Sequence, residues 1–150
     1  MKAEPNAPAV HLSMFGPPGR LEYPAWSPDG RSIAFISESS RLFVISAVRG
    51  AEPQELVGPT RATLKSPLWS PDGTFIVYGR RTDDRADAQP ELWLVRTAGG
   101  PPVHLRDLDD YRPQADSCQW SADGKTLLFK GLTERDKTSV WSMTNYLAAE

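Results

Sequence analysis

Short runs of apolar residues, broken by Pro, Asp and Gly, dominate the first part of the chain. They occupy residues 23–27, 32–37, 42–45 and 54–57. Runs of this length that are rich in β-branched and aromatic residues and bounded by turn signals are typical of strands. Proline, aspartate and glycine at 28–30 also supply the dihedrals of a three-residue hairpin loop. The pattern predicts a unit of four antiparallel strands.

The same plan returns twice further along the chain. The predicted strands of the second unit are 66–70, 75–80, 92–96 and 103–106, and those of the third are 115–121, 126–130 and 139–143. No fourth run follows Met143, and the polar residues 145–150 indicate a frayed tail or a single helical turn. The third unit is therefore predicted to lack a fourth strand of its own.

One phrase marks each unit: WSPDGRSIAF at 26–35, WSPDGTFIVY at 69–78 and WSADGKTLLF at 120–129. The tryptophans are 43 and then 51 residues apart, and such a recurrence predicts stacked repeats that share a core. We expect the tryptophans to be buried between units, and the aspartates and glycines to build turns. These structural residues are Trp26, Asp29, Gly30, Trp69, Asp72, Gly73, Trp120, Asp123 and Gly124.

The N-terminal segment PAVHLSM, residues 8–14, resembles PPVHLRD at 101–107, which contains the predicted fourth strand of the second unit. The match puts His11 in the position of His104, which indicates a common packing or edge environment for the two rings more than a site. The segment is predicted to be a fourth strand displaced to the start of the chain. The third strand of some blade must pair with this segment, because an unpaired apolar edge favours aggregation.

Composition excludes some partners. The 14 prolines and 11 glycines favour strands and turns. A net charge of −2 does not favour binding to nucleic acid or to an anionic membrane. No stretch approaches membrane-spanning length, and the N-terminus lacks the apolar core of a secretion signal. We expect a cytoplasmic protein, although a periplasmic protein whose signal had been removed would have the same sequence.

The residue types that catalysis needs do not come together. Cys118 is the single cysteine, which excludes an intrachain disulfide and a paired-thiol zinc motif, and it is predicted to be a buried structural thiol. The chain has no G-x-S-x-G sequence for a nucleophilic serine and no glycine pattern that opens a phosphate-binding helix. We expect no enzymatic activity, no catalytic residue and no cofactor.

Two acidic segments raise the question of a cation site. They contain Asp83, Asp84 and Asp87, and Asp107, Asp109 and Asp110, respectively. Hard cations bind several carboxylate and carbonyl oxygens, but neither segment has the spacing of an EF-hand loop. Arg85 and Arg112 also lie beside these carboxylates. Solvated surface loops are the better interpretation, and no metal site is predicted.

The repeated phrase resembles the WSPDG-type repeats of TolB-like β-propeller proteins, which are related in form to WD repeats. The resemblance rests on the tryptophan, the Asp-Gly turn and the following strand that ends in an aromatic residue, with Ala122 in place of the turn proline in the third copy. It implies an all-β propeller with three four-stranded blades in this chain. The predicted divisions are a displaced outer strand at 8–14, blades at 20–57, 61–106 and 112–143, and a tail at 144–150.

Three blades do not make an ordinary ring. Typical propellers hold four to eight blades, which turn by about 90° or less from one to the next, whereas three would need about 120°. A homodimer would give a six-bladed ring, the number that the TolB resemblance implies, with each N-terminal strand closing the last blade of the other chain. The alternatives are a fragment of a longer propeller protein and a higher closed oligomer.

Function in a propeller resides where loops converge on the central channel. The loops that lead into the innermost strands carry Arg20, Glu22, Lys65, Arg112 and Asp116 toward one mouth. Glu22, Lys65 and Asp116 each lie four residues before a repeat tryptophan. Their unlike charges predict a polar rim that binds a ligand. The chain is therefore predicted to be a non-catalytic module that binds a protein segment or small ligand. The alternative is a purely structural, self-assembling half-propeller, natural or engineered, without a ligand.

Overall fold

The computed structural model describes residues 19–82, 91–132 and 138–144. Within them the chain forms three antiparallel sheets and one short 3-10 helix, which confirms the all-β prediction. In each sheet, strands that follow one another along the chain are hydrogen-bonded neighbours. The predicted strand at 8–14, with His11, lies outside the described residues. So do Asp83, Asp84 and Asp87 and the tail at 145–150.

Blade 1 consists of β1 (Leu21–Trp26), β2 (Ser32–Ser37), β3 (Arg41–Ser46) and β4 (Gln54–Val57). The sequence of β2, SIAFIS, is apolar at successive positions, as expected for a strand that has a packing partner on both faces. Ala34 and Ile36 belong to the cluster shared with the next blade, whereas Phe35 packs with β3 on the opposite face. The blade therefore has two apolar faces.

Blade 2 consists of β5 (Thr63–Trp69), β6 (Phe75–Arg81), β7 (Glu91–Arg96) and β8 (Val103–His104). Its strands follow the same order as those of blade 1, so β5 is the innermost strand and β8 the outermost. The outer strand is only two residues long, because the chain turns into a 3-10 helix at Arg106–Tyr111.

Blade 3 consists of β9 (Gln114–Trp120), β10 (Thr126–Leu132) and β11 (Thr138–Thr144). Among the described residues this sheet has three strands, and β11 forms its outer edge.

The three Asp-Gly turns share one hydrogen-bond pattern. Ser27 donates its hydroxyl to Asp29 at 2.6 Å, and that hydroxyl accepts the backbone N–H of Ser32 at 2.9 Å. The same bonds recur at Ser70 with Asp72 and at Ser121 with Asp123. The serine hydroxyl bond is the main reason that the pKa of Asp29 lies below the usual aspartate range. Each carboxylate thus ties the start of its hairpin to the strand that follows.

Blades 1 and 2 pack face to face through a buried apolar cluster. Ile76, Tyr78 and Val95 of blade 2 contact Ala34 and Ile36 of blade 1, within a cluster whose members are almost completely buried. Trp69 is 9% exposed, and its indole N–H donates to the backbone carbonyl of Ala25 at 3.0 Å. The tryptophan therefore fastens its own blade to the one before it.

Blades 2 and 3 repeat this arrangement. Leu127 and Phe129 of β10 are buried in a cluster with Val77, Leu92 and Leu94 of blade 2. Gly79 lies where the sheets approach most closely, since a Cβ added to it would lie 2.5 Å from the Cβ of Ala115. Blade 2 thus packs on both of its faces, with Ile76 and Tyr78 toward blade 1 and Phe75 and Val77 toward blade 3.

The prediction that all three repeat tryptophans are buried is wrong for Trp26. Its side chain is 60% exposed, against 9% for Trp69. The reason is positional, because Trp26 lies on the face of blade 1 that turns away from blade 2, and no other described sheet packs on that face. Ile33, Phe35, Phe43 and Ile45 line the same face, which we call the leading face.

The acidic segment after β8 is not an irregular surface loop as predicted. Its 3-10 helix buries Leu108, and Asp109 Oδ1 lies 2.9 Å from His104 Nε2. The predicted strand at 103–106 ends early because Leu108 is drawn into the cluster between blades 2 and 3. No helix in the described part of the chain is long and apolar enough to cross a membrane.

We predict that Trp69→Ala lowers the free energy of unfolding by about 3–5 kcal/mol, because it opens a cavity between blades 1 and 2. Trp69→Phe is the matched control: it keeps a ring in place but loses the bond to Ala25, and should cost about 1–3 kcal/mol. Chemical denaturation followed by circular dichroism measures both. An unfolding midpoint of Trp69→Ala equal to that of the wild type would show that this ring is not a packing element.

Candidate functional site

The innermost strands of the three blades lie side by side, and each one bulges at the same place. β1 lies against β5, and β5 lies against β9. The pairing register shifts between Glu22 and Ala25 in blade 1 and between Lys65 and Leu68 in blade 2. A β-bulge bends its strand and re-aims the side chains beside it, and bulges are common next to functional sites. The repeated bulges therefore shape one end of the channel.

Two bulge residues have a left-handed backbone that L-amino acids rarely adopt. Tyr23 has φ 54° and Ser66, its counterpart in blade 2, has φ 50°. A non-glycine residue in this region costs on the order of 1–3 kcal/mol, and such residues cluster at ligand sites. Tyrosine and serine stand where glycine would relieve the strain, so both bulges hold a strained residue at the same position of the repeat.

Both strained residues line one cavity of about 440 Å³, which we call the mouth cavity. Its walls come from the inner strands of all three blades and from the end of β6. The lining residues are Tyr23, Thr63, Lys65, Ser66, Gly79, Arg80, Arg81, Gln114, Ala115 and Asp116. A volume of this size suits a small molecule or a few atoms of a larger ligand.

Three cations and one carboxylate line the mouth cavity. Lys65, Arg80 and Arg81 have no ion-pair partner among the described residues, whose ion pairs all lie elsewhere. The Nε atoms of Arg80 and Arg81 are buried and donate to no described atom. Asp116 is the single acidic residue of the lining. The described lining of the cavity therefore carries more positive than negative charge, in a chain whose net charge is −2.

Arg80 is held in position by an aromatic ring. Its guanidinium lies 4.3 Å from the centroid of the Trp93 ring, a cation–π contact. The indole N–H of Trp93 in turn donates to Glu91 Oε2 at 2.8 Å. This chain of contacts restricts the guanidinium and places the Glu91 carboxylate across the strand pair from Arg80.

The structure brings together only two of the five predicted mouth residues, Lys65 and Asp116. Arg20 and Glu22 form an ion pair at 3.2 Å outside the lining of the mouth cavity, and Glu22 also accepts the hydroxyl of Ser39 at 2.6 Å. Arg112 is exposed at the end of the 3-10 helix, where its left-handed backbone terminates that helix.

The predicted equivalence of Glu22, Lys65 and Asp116 does not hold in the pairing register. Glu22 pairs with Ile36 and Lys65 with Gly79, but the matching position of blade 3, Lys130, pairs with Gln114. The bulge of β9 is two residues longer than the others, so counting back from Trp120 misses it.

The sequence pattern did not identify Arg80 and Arg81, because Arg80 ends the predicted strand 75–80 and Arg81 follows it, away from the loops that lead into the innermost strands. A signal was present in the repeats, since the first blade has Ser37 and Glu38 at these positions and the third has Gly131 and Leu132. Because the two adjacent cations occur in blade 2 alone, they indicate a requirement specific to that blade and not a feature of the repeat.

Two other cavities are less suited to a ligand. The larger, about 570 Å³, lies between the Asp-Gly turns of blades 1 and 2, where Ser27, Asp29 and Asp72 are already bonded within the turns. The other, about 500 Å³, lies between the 3-10 helix and β11. There His104 stacks on Trp93 at 4.8 Å and contacts Asp109.

No group in the described residues is arranged for nucleophilic catalysis. His104 contacts a carboxylate, but no serine or cysteine of the described part donates to its ring. Burial raises the pKa of the Cys118 thiol to about 12, so it is protonated at neutral pH and unreactive. Within the described residues, no group of three or more His, Cys, Asp or Glu side chains could hold a metal ion.

Solved structures show which fold the three blades belong to. A protein assigned as TolB from Agrobacterium tumefaciens superposes with a TM-score of 0.65 at 24% identity, over 85% of this chain and 43% of that one. The β-propeller domain of the trilobed protease from Pyrococcus furiosus gives 0.57 at 18%, over 83% and 38%. Oligogalacturonate lyase from Vibrio parahaemolyticus gives 0.56 at 16%, over 87% and 37%.

The chain therefore has a TolB-like β-propeller fold, and it spans less than half the length of these three structures. Neither a protein-family profile nor a curated protein sequence matches it. Because the neighbours include both a TolB protein and a lyase, the fold alone does not decide between binding and catalysis.

Proposed function

We propose that the chain is a non-catalytic interaction module that binds a protein segment or a small ligand in the mouth cavity. The observation that carries the proposal is the cavity itself. Three blades converge on it, two strained residues line it, and three cations without an ion pair to a described residue line it too. Backbone strain costs stability and is common at ligand sites, which supports a role in recognition.

The residues that the structure describes contain no activated nucleophile, which supports a role without catalysis. The Cys118 thiol is buried and protonated, and His104 has no hydroxyl partner in the described part. The resemblance to TolB proteins, seen in both the repeat phrase and the fold, is consistent with binding as the activity.

A peptide-display selection tests the proposed function. Peptides selected on the wild type should also bind Arg31→Trp, which changes an exposed turn at the opposite end of blade 1, but not Thr63→Trp, which fills the mouth cavity without altering its charges. Biolayer interferometry of individual peptides measures the difference. Failure to enrich any peptide, or peptides that bind Thr63→Trp as tightly as wild type, would contradict the proposal.

We also propose that a second copy of the chain completes the ring. The leading face of blade 1 is the equivalent of the face that Trp69 and its neighbours bury against blade 1. On the other open face of the stack, Leu128 is 39% exposed and Val140 is 76% exposed. A second copy would bring these two unlike faces together twice, in a closed arrangement with twofold symmetry.

The outer edge of β11 suggests where the N-terminal segment binds. In blade 2, Trp93 pairs with His104 across β7 and β8, and their rings stack at 4.8 Å with an interplanar angle of 3°. Trp141 is the counterpart of Trp93, because it pairs with Phe129 as Trp93 pairs with Tyr78. His11 is the counterpart of His104 in the sequence. Residues 8–14 of one copy would therefore pair with β11 of the other, with His11 stacked on Trp141.

The solution mass tests the assembly. We expect twice the 16.6 kDa of one chain for the wild type. Trp26→Ala and removal of residues 1–14 should each shift the mass toward a single chain, because each removes one of the two contacts. Arg49→Ala, at an exposed turn, should leave it unchanged. Analytical ultracentrifugation measures all four proteins, and a single-chain mass for the wild type would contradict the dimer.

One alternative has a specific observation in its favour. The chain covers only 43% of the TolB structure, so the leading face could instead be covered by further blades of a longer polypeptide. In that case this chain alone would aggregate through its open sheet edges or sediment as one copy. A structural half-propeller without a ligand would instead show the dimer mass and no peptide enrichment.

A further inference from the structure

The cations of the mouth cavity indicate the kind of ligand that it takes. Lys65 lies on β5, and Arg80 and Arg81 end β6, so the three charges come from two adjacent strands of one blade. Lys65 pairs with Gly79, next to Arg80, and Arg81 pairs with Thr63, two residues before Lys65. Neighbouring residues of a strand point to opposite faces of the sheet. Lys65 and Arg81 therefore lie on the face of blade 2 that carries Gly79, whereas Arg80 lies on the opposite face with Trp93.

The carboxylates nearby offset only part of this charge. Glu91 is the cross-strand partner of Arg80 and accepts the indole N–H of Trp93, so its negative charge lies beside Arg80. Glu22 is bound to Arg20 and Ser39. Asp116 lines the cavity but has no ion pair with any described cation. Lys65 and Arg81 therefore leave a surplus of positive charge among the described residues of a concave site, where the field is focused.

The donors are also suited to an oxyanion. A guanidinium presents a planar fork of N–H groups that matches a carboxylate or phosphate, and a lysine ammonium adds a point charge. The Nε atoms of Arg80 and Arg81 are closed to solvent. A ligand oxygen would therefore meet the terminal N–H groups of the guanidinium fork. Ser66 and Tyr23 add hydroxyl groups to the same wall.

We infer that the mouth cavity recognises an oxyanion, a carboxylate or phosphate group of the ligand, through Lys65 and Arg81. The inference rests on the proposed function, because it names the chemical class that the mouth cavity binds. Arg80 lies on the opposite face of the sheet, where the Trp93 ring holds its guanidinium. Lys65 is exposed and supplies charge at the entrance.

Isothermal titration calorimetry of the full chain tests the inference, with inorganic phosphate and glutarate as separate probes at constant ionic strength. We expect saturable binding of at least one probe, with one site per chain, and the probe that binds more tightly identifies phosphate or carboxylate as the source. Lys65→Gln and Arg81→Gln should each weaken binding by about tenfold or more, because each removes a charge-assisted hydrogen bond. Arg49→Gln, an exposed arginine outside the cavity, is the matched control.

Three results would overturn the inference. The first is no saturable binding of either probe, and the second is binding that Lys65→Gln and Arg81→Gln leave unchanged. The third is binding that appears only after Asp83, Asp84 and Asp87 are replaced by Asn, since the chain's own carboxylates would then be the occupants.

The peptide selection separates failure of this inference from failure of the proposed function. If selected peptides are blocked by Thr63→Trp but bind Lys65→Gln and Arg81→Gln as tightly as wild type, the mouth cavity binds a ligand and the oxyanion inference is wrong. If the oxyanion inference is right, the selected peptides should be rich in Asp and Glu and lose affinity in both charge variants.

Discussion

The packing of one sheet on the next is the interaction on which the rest of the structure depends. A blade of this kind has two apolar faces, and neither can stay in water without cost. Trp69 shows how the faces are joined, because its ring is buried against blade 1 and its N–H is bonded to the carbonyl of Ala25. In the described part of the chain, the outer faces of blades 1 and 3 have no sheet packed on them, and the face of blade 1 carries Trp26.

This stacking also creates the candidate site. Face-to-face packing draws the inner strands β1, β5 and β9 together, and their bulges then bend toward a common point. The close approach at Gly79 allows β9 to come near enough to add Gln114 and Asp116 to the wall. The mouth cavity is thus a consequence of blade packing, whereas its charge depends on Lys65, Arg80 and Arg81, which packing does not require.

The sequence predicted the hairpins well because their determinants are local. Serine, aspartate and glycine at fixed offsets form the same turn three times, and the strands beside each turn follow from short apolar runs. The 3-10 helix was not predicted, because it depends on Leu108 reaching a cluster formed by two other segments. The longer bulge of β9 was missed for a similar reason, since its length is set by the pairing of Gln114 with Lys130. The exposure of Trp26 depends on what lies beyond blade 1, which no local pattern reports.

A crystal structure of the chain tests the central claim most directly, because it shows what covers the leading face of blade 1. The account predicts that blade 3 of a second copy packs on Trp26, Phe35 and Phe43, with residues 8–14 of each copy paired to β11 of the other. A structure in which Trp26 stays in solvent and residues 8–14 pair within their own chain would contradict it.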